Sequence, residues 1–161
     1  MEQEKTVEEI KAEYEKIAKK HDLPNFEKFR EDFDIDKLLE KAEGFLIRDV
    51  RRTMTEKISA YLHVFETFVN PASPPLFVFT FLKNYTEVDK KKINKIYMEL
   101  TKLQIANMKL DTIYNEKSEI EFIKKTFASW QDLKKDIYSI IERFGEELDK
   151  NSETKEKSYF G

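Results

Sequence analysis

The chain has 161 residues, enough for a buried core, with 40% hydrophobic and 13% aromatic side chains. Its 29 basic and 32 acidic residues nearly cancel to −3, so the composition describes an ion-paired surface and not a polyanion binder as a whole. Absent cysteine excludes disulfides, thiolate catalysis and thiolate metal sites, and three glycines leave little material for phosphate-cradling loops.

Thr6-Val-Glu-Glu9 is a capping box that opens the first helix. Val7, Ile10, Tyr14, Ile17 and His21 follow at spacings of three and four and form one narrow apolar seam. Residues 1–22 are therefore expected as a helix that protrudes or packs separately, with the seam available to its own bundle or to a partner helix. Leu23-Pro24 ends it, because a residue before proline is pushed out of the α region. Phe26, Phe29 and Phe33 mark a turn or two of helix, and Asp34 reads as the N-cap of the next element.

From Ile35 to about Val69 the pattern is helical, with Gly44 as the place for a kink. Ile47, Val50, Met54, Ile58, Tyr61, Phe65 and Phe68 make its core stripe. Arg48, Arg52, Glu56, Ser59, His63 and Glu66 are expected on the opposite face, with Arg52 paired to Glu56 one turn on. Asn70-Pro-Ala-Ser-Pro-Pro75 is the main turn. Leu76 to Leu82 is expected as a short buried helix, since proline is tolerated in a first turn and no other strand exists to pair with it.

Thr86-Glu-Val-Asp89 starts a helix that runs to about Asn115. Ile93, Ile96, Tyr97, Leu100, Leu103, Leu110 and Tyr114 form its apolar face, and Asn107 falls in the middle of that face with Gln104 and Asp111 beside it. Buried polar groups need partners, so this seam is either a hydrogen-bond network that fixes register or a small-molecule or metal position. Met98, Ile105 and Met108 lie on the other side of the same helix, which is either placed centrally and covered on both sides within the bundle or meets a partner or a second copy through this face. Ser118-Glu-Ile-Glu121 and Ser129-Trp-Gln-Asp132 read as further helix starts. Leu133, Ile137, Ile140, Ile141, Phe144 and Leu148 form the last apolar stripe, which Gly145 does not interrupt, and residues 151–161 are expected as a disordered tail.

The expected architecture is a single all-α domain over residues 1–150, a bundle of five to seven helices with two long helices at its centre. No Gly-x-Ser-x-Gly, phosphate loop or His-Glu-x-x-His motif occurs, and no arginine lies close upstream of His63 as in helical RNA-cleaving domains. No catalytic residue, metal ligand or cofactor is assigned, although His63 and Glu66 share a helix face. Nucleic-acid binding would fall to Arg48, Arg51 and Arg52 on one helix and Lys90, Lys91 and Lys92 on another, where clustered cations can neutralise phosphates. The segments Leu46-Ile-Arg-Asp-Val-Arg-Arg52, Glu121-Phe-Ile-Lys-Lys-Thr-Phe127 and Trp130-Gln-Asp-Leu-Lys-Lys135 resemble small archaeal helical proteins to which no activity is attached. That resemblance implies a cytoplasmic archaeal protein and supplies no site residues. The opening residues carry no signal-peptide pattern, and no apolar run is long enough for a membrane span. The expected function is thus a cytoplasmic, non-enzymatic protein–protein interaction module that meets a partner or a second copy of itself. The alternative is an RNA- or ribosome-associated protein, and the third reading is a ligand site at the polar seam.

Overall fold

The computed structural model describes residues 6–40 and 45–159, and among them every regular element is helical. The helices are α1 (Val7–His21), α2 (Phe26–Asp32), a 3-10 helix (Ile35–Glu40), α3 (Leu46–Val69), α4 (Leu76–Leu82), α5 (Glu87–Thr112) and α6 (Glu116–Tyr159). The all-α bundle built on long helices is as expected from the periodicity, with α3, α5 and α6 as the long members. Gly44 lies outside the described residues. The chain groups into two compact units.

The first unit gathers the chain up to Ser59 together with Leu103–Ser129. The capping box of α1 is reciprocal: Glu9 N–H donates to Thr6 Oγ1 at 3.4 Å and Thr6 N–H to Glu9 Oε2 at 2.8 Å. The helix ends at Asp22, which adopts the left-handed conformation with φ 54° and ψ 47°. Leu23 N–H then closes back on the Ala18 carbonyl at 2.9 Å. α1 packs against α2 within this unit. Tyr14 is fully buried against Phe26 and Phe29, with centroids 5.9 and 6.1 Å away, and its hydroxyl donates to the Pro24 carbonyl at 2.7 Å. Burial, aided by the Glu15 charge, pushes the Tyr14 hydroxyl pKa well above its ordinary value. Phe29 in turn stacks on Phe127 of α6 at 6.0 Å. Ile10, Phe33, Ile47, Val50, Met54, Ile58 and Ile123 complete this core.

The second unit gathers Ala60–Lys102 with the chain from Trp130 onward. An aromatic cluster holds it. Phe144 of α6 stacks on Phe68 at 4.7 Å and meets Phe81 edge-on at 4.5 Å. α4 is helical as its proline start predicts, but it buries only Val78 and Phe81, while Leu76, Phe77 and Phe79 are exposed. Seven residues give a helix a single inward stripe, so half of an apolar segment must face outward. α5 starts at Thr86 as expected, with a reciprocal cap: Asp89 N–H donates to Thr86 Oγ1 at 3.2 Å, and Thr86 N–H to Asp89 Oδ2 at 2.8 Å.

Three further expectations change. Ser118 and Ser129 do not start helices. Asn115 is the cap, accepting from Ser118 N–H at 2.9 Å, and both serines lie inside α6. A Ser-x-x-acid pattern caps only where the chain is already non-helical, and here the helix has begun. α6 also runs on through Asn151 to Tyr159, the segment expected as a disordered tail. Finally, Ile141 and Leu148 leave the core stripe: Ile137, Ile140, Phe144 and Glu147 are buried, while Ile141 and Leu148 are exposed.

Candidate functional site

The most concentrated chemistry lies in the first unit, where α3, α5 and the start of α6 meet around Arg51. Arg51 is one of the residues assigned to a basic surface, and that assignment is corrected: its side chain is 1% exposed. The position explains why. Arg51 stands four residues after Ile47 and three before Met54, so helical geometry carries it onto the same buried stripe. Its guanidinium is used in three directions. Nε donates to Glu119 Oε2 at 2.5 Å, Nη2 to Asp111 Oδ1 at 2.8 Å, and Nη1 to Asn107 Oδ1.

The polar seam on α5 is therefore filled by protein. Asn107 Oδ1 also accepts from Thr55 Oγ1 at 3.0 Å, and Asn107 Nδ2 donates to Asp111 Oδ2 at 3.2 Å. Gln104 Oε1 accepts from Ser59 Oγ at 2.9 Å. Asp111 reaches solvent, with its side chain 52% exposed, whereas Glu119 is wholly buried. The fork of Arg51 occupies the space that the sequence left for a ligand. Glu119 Oε1 and Thr126 Oγ1 are buried without a hydrogen-bond partner, so the network is not fully satisfied at its α6 side.

Glu119 is the member that sequence reasoning missed. Its signal was present: it lies three residues before Phe122, four before Ile123 and seven before Thr126, all of them buried. The Ser118-x-x-Glu121 spacing, which imitates a helix start, masks it.

Arg48 is also drawn away from a phosphate-binding surface. Arg48 lies over the Tyr114 ring at 4.5 Å and the Phe45 ring at 5.7 Å, and its Nε is buried. Only Arg52 of the three is exposed, 4.0 Å from Asp49, while Glu56 lies 4.0 Å from Lys37 instead. In the second unit Lys90 and Lys91 are exposed, and Lys92 donates to Ser139 Oγ at 3.0 Å. His63 is exposed, and no group of three His, Asp or Glu side chains among the described residues is placed to hold a metal ion.

Met98, Ile105 and Met108 are all exposed. In the first unit Ile105 and Met108 lie one turn apart on α5, 50% and 58% exposed. Lys109 is exposed beside them. A cleft of about 580 Å³ also opens in this unit where the end of α1 faces the start of α6, lined by His21, Lys117 and Lys124 with Asp22, Ile120 and Glu121. Its wall carries both acidic and basic side chains, and Asn107 is not part of it.

Among the described residues no helix is long and apolar enough to cross a membrane. No protein-family model matches the chain, and comparison with curated proteins and with solved structures finds no similar protein.

Proposed function

We propose that this chain is a non-enzymatic helical interaction module whose partner is another protein. The observation that supports the reading best is the pair Ile105 and Met108, exposed on a helix whose opposite face is already occupied by the Arg51 network. Methionine and isoleucine at i, i+3 on an outward face gain nothing from water. They are suited to a partner helix that inserts apolar anchors at the same spacing. Lys109 at the rim favours an acidic partner.

The RNA or ribosome reading loses its arginine cluster, since Arg51 is internal and Arg48 is stacked on aromatic rings. The ligand reading loses its space to the Arg51 guanidinium. The cytoplasm remains the proposed location.

The test compares the tagged wild-type chain with an Ile105→Lys/Met108→Glu variant in capture from lysate at low salt, with and without nuclease. A stoichiometric protein that survives nuclease and disappears with the variant supports the module. Material that vanishes with nuclease, or a partner that the variant retains, overturns it.

A further inference from the structure

α6 carries a second apolar seam within the second unit, and the described residues leave it largely open. Tyr138, Ile141 and Leu148 are 66%, 45% and 45% exposed. With Gly145 they follow one another at spacings of three, four and three, so all four share one face of the helix. The inward face is a different set, Ile137, Ile140 and Phe144.

Gly145 is the informative member. It is helical, in mid-helix, where glycine is a poor choice. A Cβ at this position would meet nothing within 4 Å, so no close approach among the described residues requires its absence. A glycine within an apolar seam leaves a notch into which a large side chain of another helix fits.

The charges beside the seam are polarised. Lys134 and Lys135 precede it, and Glu146 and Asp149 flank its far end. We infer that this face binds a second copy of the chain, α6 against α6 in antiparallel orientation about a two-fold axis near residues 141 and 142. In that register Tyr138 of each copy enters the notch at Gly145 of the other. Ile141 meets Ile141 at the axis. The aliphatic stem of Lys135 covers Leu148, and its ammonium group runs beside Glu146 and Asp149. A parallel pairing sets lysine against lysine, acid against acid and tyrosine against tyrosine. A C2 interface must be self-complementary, and this face meets that condition in the antiparallel sense alone. Glu142 approaches its own copy near the axis, so the pairing is held below its best affinity by one like-charge contact. This inference is independent of the reading of α5.

The test is sedimentation velocity of the full chain from micromolar to roughly millimolar concentration, the weak end of specific association. The wild type is expected to show a reversible monomer–dimer equilibrium. Tyr138→Lys and Gly145→Gln each weaken it by about tenfold or more while far-UV circular dichroism stays unchanged. Both positions face outward, so neither change threatens the fold. Lys135→Glu weakens the dimer, Lys135→Glu with Glu146→Lys in the same chain restores it, and Glu142→Gln tightens it. A chain that stays monomeric throughout, or a dimer indifferent to Tyr138→Lys and Gly145→Gln, overturns the proposal. Failure of the double charge reversal to restore the dimer overturns the antiparallel pairing.

Discussion

Replacing Arg51 by methionine removes the centre of the buried network and leaves Glu119 behind. Glu119 is 0% exposed, its Oε2 loses a 2.5 Å charge-assisted bond, and its Oε1 already has no partner. Asn107 Oδ1 loses Arg51 and keeps Thr55, while Asp111 stays exposed and is rehydrated. The dominant cost is the stranded carboxylate, about 3–5 kcal/mol for breaking a buried pair from one side. Total stabilities of about 5–15 kcal/mol make this a large fraction. In urea, with a slope of about 2 kcal/mol per molar, the midpoint measured by far-UV circular dichroism should fall by roughly 2 M. The second arm removes both charges. Arg51→Met with Glu119→Leu leaves no stranded ion, and should recover most of the loss because apolar replacements of a buried pair are often neutral. A single-variant cost below about 1 kcal/mol, or a double variant as unstable as Arg51→Met, would refute the reasoning and show that water reaches Glu119.

Asp22→Gly should stabilise the chain by about 0.5 kcal/mol, because Asp22 holds a positive φ that glycine adopts without strain and the gain is partly offset in the unfolded chain; a lowered Tm would count against the left-handed cap. Phe144→Ala should cost about 3–5 kcal/mol, since the ring is packed between Phe68 and Phe81, and thermal unfolding reads it directly. Burial opposes ionisation of Asp89, but hydrogen bonds from Thr86 and the Arg143 charge outweigh it and hold the Asp89 carboxyl below its ordinary range. A depressed folded value means that this stabilisation is present above the unfolded pKa of about 3.9 and is lost as pH falls through the folded value. Asp89→Asn should therefore cost about 2 kcal/mol at neutral pH and flatten the stability curve below about pH 4; an unchanged acid limb would remove Asp89 from that role.

Helix positions were legible because their causes are local. The boxes at Thr6 and Thr86, the break at Pro24 and the stripe from Ile47 to Phe68 each depend on residues within a turn or two, and all of them recur in the fold. Where the local signal was ambiguous, reading failed. Ser118 and Ser129 have the spacing of caps but sit within a helix already under way, and Ile141 and Leu148 are apolar yet lie just outside the inward arc. The polar seam at Gln104, Asn107 and Asp111 was legible as a place needing partners, because three polar side chains interrupt an apolar face.

What those partners are was decided by tertiary structure. Arg51 and Glu119 are 68 residues apart, and each alone reads as an ordinary charged residue on a charge-rich surface. Periodicity assigns a residue to a face of its own helix. It carries no information about which helix that face will meet. A charge can be buried only if its counter-charge arrives from another segment, and that meeting exists only once α3, α5 and α6 have packed.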